Sequence, residues 1–550
     1  MIMNLEQILR KIASDCDYLN DKTCTRVYVV ALSGHPALSA VLERIKLEII
    51  KVGLKAKVIV AGSNGLYDLE PFFIIEKPGK PVVYYPDIGP ESAAELVNDY
   101  LVRDNPRPEL ALDRREPPLF ALQNRIALRN CGRIDPENIG EYVLRSQGYR
   151  GLSRALQMTR AVAIEELRSS GLRGRGGGGY LTAEKWRICR DAAWSEKYVI
   201  CNAADADPQA RTARLLLESD PHSVLEGMLI TGYAVGATHG IIGVKSEYAA
   251  ALKRLTKALT QMRGYGLLGN NILDADFNFD IEIKEIAPSL VSGEETALIR
   301  SLEGKQAMPY VRTTYPAVKG FKDLPTLVGS VETFSNVSAI FQNGLERYSG
   351  IGTERSRGTK VITLSGNVTH QYTVEVPMGT TLRRLIDDIG GGVLQGKGIK
   401  AVQFGGPTGR FFASDSLDIP VNYESLNEAG GTMGSGTIEV FDTGSCAVET
   451  ARDVLTYLQS QSCGKCVFCR EGTYQMLDIL TDISANRGKP GDIDMLLKLG
   501  EAMKSGSICA LGRTAPDPVL STLSLFRMDY EAHIREKRCP LKEKNIRVVK

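Results

Sequence analysis

The feature that most constrains this 550-residue chain is a C-x2-C-x2-C array, Cys463, Cys466 and Cys469, followed further on by Cys509. Two-residue gaps let three thiolates converge on one face of a turn. A distant fourth closes the set, as a 4Fe–4S cube requires. A four-cysteine zinc site is the competing reading, although such sites usually pair two CxxC hairpins. On either metal reading two distant segments meet around one centre; cysteines spaced so by chance, with no metal, are the third alternative. Arg470, which follows the triplet, reads either as a cation beside that centre or as a solvated helix residue. The remaining seven of the eleven cysteines are scattered singly and read as small buried hydrophobes. The opening MIMNLEQILRK lacks the charged-then-apolar layout of a secretory signal. Reduced thiols and a cytoplasmic chain are therefore expected.

Bulk composition removes other classes. With 67 basic and 65 acidic side chains the net charge is +2, too little for a global field that holds nucleic acid or an anionic membrane. The most apolar run, 228–244, is interrupted by His239 and by glycines at 232, 236, 240 and 243. It falls short of the ~18 residues a spanning helix needs. Apolar residues at 43% and charged ones at 24% are an ordinary globular balance. The length suits three or four domains of ~150 residues.

Patterning divides the chain. Residues 1–102 read as a small α/β unit, with helical spacing at 4–16, 37–51 and 90–101 and strand-like runs at 27–31, 56–60, 72–75 and 82–85. Proline and charge over 103–118 mark a linker. Residues 119–345 hold most of the glycine clusters. Residues 358–435 alternate like strands around a helix at 380–389, a β-grasp pattern. Residues 445–535 are helical throughout, and 536–550 form a basic tail.

Two further constellations carry chemistry. GLRGRGGGGYLTAEKW, 171–186, has four consecutive glycines that allow close backbone approach to a phosphate, with Arg175 and Lys185 as flanking cations. A plain flexible loop is the alternative. No β-branched strand leads into it and no Gly-Lys-Ser/Thr follows, so neither dinucleotide fingerprint nor P-loop is assigned. Glu294 and Glu295 open a helical run after Gly293. One carboxylate suits helix capping; the other would be free to accept from ribose hydroxyls or a ring N–H.

Taken in order, LRNCGRIDPE (128–137), the glycine loop, YVICNAADADP (198–208), DPHSVLEG (220–227), SGEETALIRSLEGK (292–305), SCGKCVFCREGT (462–473) and ICALGRTAPDPV (508–519) closely resemble one family. It is the NADH-binding flavoprotein subunit of complex I. Its relatives are the flavin subunits of NAD-linked hydrogenases and formate dehydrogenases and the flavin-type subunit of class II benzoyl-CoA reductase complexes. The resemblance covers roughly 119–540. It implies an α/β multidomain fold: a thioredoxin-like domain (1–102), a linker (103–118), a Rossmann-like FMN-binding domain (119–345), a ubiquitin-like SLBB β-grasp domain (358–435), and a four-helix bundle with the 4Fe–4S cluster (445–535). It further implies an electron-input oxidoreductase subunit working between NAD(H), FMN and one 4Fe–4S cluster. Its implied partners are other redox subunits, either a ferredoxin-like or 2Fe–2S thioredoxin-like subunit or a terminal oxidoreductase, in anaerobic or low-potential metabolism.

By motif, Gly176, Gly177, Gly178, Gly179 and Lys185 would hold the FMN phosphate side. Asn202 and Asp205 would face the ring, Gly293 and Glu294 would line it, and Glu295 would meet the nucleotide ribose. Tyr180 and Tyr315 stand where the family has aromatics, and Cys463, Cys466, Cys469 and Cys509 are the implied cluster ligands. The chain departs from the family at Ala204, Leu290, Ser292 and Gly329-Ser330, all in the expected flavin site. Those departures leave two other readings open. One is a flavin module with another donor, ferredoxin-linked or electron-bifurcating. The other is a scaffold or relay subunit. No cysteine lies between Cys24 and Cys131, so the N-terminal domain is expected to lack a 2Fe–2S cluster and to serve as a docking surface.

Overall fold

The computed structural model describes residues 4–112 and 118–541; 113–117 of the expected linker and 542–550 of the tail lie outside the described residues. β-Branched and aromatic runs form β1 (Thr25–Val30), β2 (Ala56–Ala61), β3 (Phe72–Glu76) and β4 (Val83–Tyr85), in the order β2-β1-β3-β4. β1 and β2 are parallel across the helix Leu38–Lys51, and β3 runs antiparallel to β1 and β4. This thioredoxin-like sheet buries Val27, Val29, Ile45, Phe73 and Tyr85.

The second sheet is wholly parallel. β5 (Tyr198–Ala203), β6 (His239–Lys245), β7 (Asp280–Ile286) and β8 (Thr326–Ser330) stand in the order β7-β6-β5-β8. The chain winds outward from β5 through β6 to β7 and then returns to β5's other side as β8. The ends of β5 and β8 are thus a topological switch point, where open α/β sheets take their ligands. The apolar run at 228–244 is divided: the buried helix Pro221–Val235 ends at Gly236 in a left-handed conformation (φ 74°), and β6 follows. Gly236 is the residue that permits that stop.

The third sheet has the order β10-β9-β13-β11-β12, from β9 (Thr359–Gly366), β10 (Thr373–Pro377), β11 (Ile399–Phe404), β12 (Arg410–Ala413) and β13 (Thr437–Asp442). It is a β-grasp unit whose central strand is its last. The unit therefore runs to Asp442, past the expected limit of 435; the glycine-rich stretch 430–436 reads as an end but is a turn into β13. Buried Glu375 on β10 clamps this sheet to the domain of the parallel sheet, accepting from the backbone N–H groups of Ile126, Ala127 and Leu128 at 2.8–2.9 Å.

The C-terminal unit packs the helices Ala447–Ser460, Val467–Ser484, Asp492–Gly506 and Asp517–Leu525 around Leu455, Leu458, Met476, Leu480, Leu496, Met503 and Val519. It is tied to the β-grasp sheet by the Lys400–Asp529 ion pair (2.6 Å) and by the Phe411 amide donating to Ser521 Oγ (3.0 Å). No described helix is long and apolar enough to cross a membrane.

Candidate flavin and iron–sulfur site

A cleft of about 310 Å³ opens at the switch point, lined by Gly176, Gly178, Gly179, Tyr180, Lys185, Trp186, Asn202, Glu295, Gly329 and Ser330. A second, of about 300 Å³, shares Gly176, Asn202 and Ser330 with it and continues along Ala204, Asp205, Leu290, Gly293 and Glu294 to Ala510 and Leu511. Sheet topology and the glycine loop thus converge on one elongated groove.

The loop is built as a cradle. A Cβ on Gly178 would meet nothing within 4 Å, and one on Gly176 would approach Ser330 no closer than 3.5 Å. Gly177 serves packing instead: its φ is +110°, and a Cβ would lie 2.6 Å from the Gly434 carbonyl oxygen of the β-grasp domain. Thr182 Oγ1 is buried without a hydrogen-bond partner on the cleft wall, an orphan that a ligand oxygen satisfies. These residues fit a flavin nucleotide. Arg175 lines the second cleft, but it is 2% exposed and its guanidinium is engaged within the protein, donating to Tyr348 Oη (2.6 Å) and to the Arg357 (2.5 Å) and Arg173 (3.1 Å) carbonyls.

Charged side chains meet at the mouth. Lys185 Nζ is 2.6 Å from Glu295 and 2.9 Å from the Val328 carbonyl oxygen. Arg312 is 2.6 Å from Glu294 and 3.4 Å from Glu295. Sequence reasoning missed Arg312: it is a lone cation in a loop, and the fold alone carries it to the Glu pair. It also missed Glu332 and Lys360, a buried ion pair on the wall of the second cleft. The two readings of the Glu pair divide between the two residues. Glu294 Oε2 accepts from the Thr296 (2.8 Å) and Ala297 (2.9 Å) amides and caps the helix Glu295–Leu302. Glu295 faces the cleft.

At the end of β5, Asn202 donates to the Gly293 carbonyl (3.1 Å) and accepts from the Ala204 amide (3.1 Å). It thereby fixes the turn against Gly293, where a Cβ would lie 2.7 Å from Ala206. Asp205 borders the cleft, but its carboxylate turns inward to the Ala213 and Arg214 amides and the Tyr248 hydroxyl, at 3.0–3.2 Å. Its charge serves a helix N-terminus before any ring. Burial pushes its carboxyl up to about 6. Tyr180 and Tyr315 are 56% and 66% exposed. Tyr180 lines the glycine-loop cleft, and Tyr315 lines a neighbouring pocket with Glu294, Glu295, Arg312 and Cys509. Gly329 packs under Phe334, where a Cβ would come within 2.8 Å, and Ser330 caps the helix Val331–Asn343. These contacts account for two of the departures from the family.

The four cysteines converge beside the groove. Cys469 and Cys509 are buried with Val291 and Leu511, and Cys463, Cys466 and Leu290 pack against them. Ala510 and Leu511, which follow Cys509 directly, line the second cleft. The cleft wall and the cluster shell are thus the same residues. Burial pushes the Cys469 thiol up to about 11, against the Ser462 hydroxyl, which pulls it down; bound iron reverses that balance. Arg470 holds the cysteine loop, donating to the Gly464 carbonyl (2.7 Å), and Lys465 ties it to the Pro309 carbonyl (2.8 Å).

A nucleotide groove at the switch point of a parallel sheet, walled by a four-thiol centre, defines one component of a flavin- and iron–sulfur-dependent oxidoreductase. Comparison with known proteins narrows this. Residues 167–339 match the Nuo51 FMN-binding domain, 361–412 the SLBB domain, and 449–533 the NADH-ubiquinone oxidoreductase-F iron–sulfur binding region. The chain is 47% identical to NADP-reducing hydrogenase subunit HndC of Solidesulfovibrio fructosivorans, over 76% of this chain and 85% of that one. It is 37% identical to an NADH-quinone oxidoreductase F subunit (the second) of Rhizobium meliloti, over 76% and 99%. A crystal structure of NAD+-reducing [NiFe]-hydrogenase matches at TM-score 0.65 and 26% identity, over 96% of this chain and 88% of that one. The chain belongs to the family of NADH-quinone oxidoreductase F subunits. It is an oxidoreductase subunit with an NADH-dehydrogenase module, and its cofactors are FMN and a 4Fe–4S cluster. The zinc reading of the four cysteines is thereby set aside.

Proposed function

We propose that the chain is the electron-input subunit of a multisubunit, soluble-side oxidoreductase. It would accept reducing equivalents from a reduced nicotinamide nucleotide and deliver them through one cluster to partner redox subunits. FMN, when bound, supplies the exchange between two-electron hydride and one-electron chemistry. Gly176, Gly178 and Gly179 hold its phosphate side by their backbone, Thr182 Oγ1 offers a buried hydroxyl, and Asn202 and Gly293 fix the wall along the ring. Lys185 adds a cation to that phosphate side, and Glu295 and Arg312 receive the donor's ribose and phosphates. Tyr180 and Tyr315 offer exposed faces for stacking. Leu290 and Val291 exclude water between groove and cluster. The observation that carries this reading is the shared wall, since Ala510 and Leu511 line the groove directly beyond Cys509.

The Gly178→Val substitution tests it. The new side chain enters open cleft rather than packed protein. FMN affinity, read by quenching of flavin fluorescence, is expected to fall at least ~100-fold, about 3 kcal/mol, with the far-UV circular dichroism unchanged. Undiminished affinity would place the flavin elsewhere. One observation favours a second reading, in which another donor feeds the same cradle: Ala204 and the inward-turned Asp205 offer no carboxylate to the ring.

A further inference from the structure

The helical domain closes on a second group of metal-ligating side chains, none of them a cluster ligand. Cys446 immediately precedes the first helix, Ala447–Ser460. His533 lies in the last helical turn, Ala532–Glu536, and Cys539 just beyond it. The three are 7, 0 and 6% exposed. One ligand atom from each lies within 4.8 Å of the other two, and Cys446 Sγ is 3.4 Å from His533 Nε2. In a tetrahedral zinc site, with Zn–S about 2.3 Å and Zn–N about 2.0 Å, such a pair stands about 3.5 Å apart. The thiol and the imidazole are therefore at ligating separation.

The imidazole is also oriented for the task. His533 Nδ1 donates to Asn486 Oδ1 at 2.9 Å, which leaves the lone pair on Nε2, facing the sulfur. A metal-bound histidine characteristically has such an outer acceptor. A simple S–H···N contact would account for one thiol; it gives no reason for a second buried thiol at the same point.

We propose that Cys446, His533 and Cys539 bind a zinc ion, with a water completing the tetrahedron. Two soft thiolates and an imidazole suit zinc and disfavour calcium or magnesium, which take oxygen ligands. Three ligands with one nitrogen do not make the four-thiolate shell of a cube. Binding displaces the two thiol protons to solvent, and the resulting centre, Zn²⁺ with two thiolates and a neutral imidazole, carries no net charge, as burial demands. The ion joins the first residue of the helical domain to its last turn, and through Asn486 to the end of the helix that starts at the cluster ligand Cys466. It is a staple on the cluster-bearing domain.

The test is zinc and iron analysis of the anaerobically purified holo-chain from zinc-replete medium, with X-ray absorption at the zinc edge. The expected result is about one zinc per chain besides the cluster iron, with two sulfur ligands at about 2.3 Å and two nitrogen or oxygen ligands. Absence of zinc, a four-sulfur shell from zinc in the cluster site, or a Cys446–Cys539 disulfide would each overturn the proposal. The variants Cys446→Ser and Cys539→Ser are expected to lose zinc and keep iron; variants that retain zinc overturn it. If they misfold, cobalt loading of the unaltered chain decides: a thiolate-to-cobalt charge-transfer band supports the site, and its absence contradicts it.

Discussion

Asp205 shows how a motif residue changes work when its surroundings change. Burial opposes its ionisation and pushes its carboxyl up to about 6, and the Ala213 and Arg214 amides only partly offset that. A folded-state value above the unfolded ~3.9 means that the ionised form costs the fold. That cost is absent below pH ~4, grows as pH rises, and is complete above pH ~6, amounting to on the order of 2–3 kcal/mol. The Asp205→Asn variant keeps an acceptor for the helix amides and removes the charge. It is expected to flatten the fall in urea midpoint between pH 4 and 6 and to match or exceed the parent above pH 6. An unchanged slope would show that another group carries the effect. The mouth of the groove obeys similar arithmetic, because Lys185 and Arg312 face Glu294 and Glu295 and the four charges cancel. A nucleotide phosphate must therefore compete with Glu295 for Lys185.

Among the elements, the loop after β2, Gly62-Ser63-Asn64-Gly65, is a wedge between domains. Ser219 Oγ donates to the Ser63 carbonyl (2.9 Å), Thr373 N donates to the Gly65 carbonyl (2.9 Å), and a Cβ on Gly62 would lie 2.5 Å from Ser219 Cα. The Gly62→Val variant is expected to cost about 1–3 kcal/mol by overpacking and to raise amide exchange in this loop and at the end of the helix Thr212–Ser219. Unaltered exchange would refute the wedge. Elements of strong period were legible in the sequence: the four strands of the first sheet, the hairpin of β9 and β10, and the C-terminal helices. β13 was not, because its glycine-rich approach reads as a terminus. The cluster cysteines were legible because their spacing is itself the geometry. Arg175 and Arg312 were not, because a guanidinium's partners depend on which distant segments the fold brings to it: Arg175 turns to Tyr348 and Arg357, Arg312 to the Glu pair.

In the whole molecule, function depends on the domains holding one groove in register. Glu375 is one clamp between them, since three backbone amides, two buried and one half-buried, have their acceptor in its carboxylate. Glu375→Ala leaves them unmet, at about 1–3 kcal/mol each. Calorimetry of this variant is expected to show an earlier, separate transition for the β-grasp domain; a single shifted transition would mean the clamp is not what couples the domains. The central claim concerns the path from donor to cluster. The measurement that tests it most directly is an anaerobic NADH titration of the chain reconstituted with iron, sulfide and FMN, following the flavin absorption and the paramagnetic signal of the reduced cluster. The account predicts that the flavin band bleaches near stoichiometric NADH and the cluster signal then appears, with Cys509→Ser keeping the bleaching and losing the signal. A flavin that stays oxidised under NADH while a reduced ferredoxin bleaches it would contradict the claim.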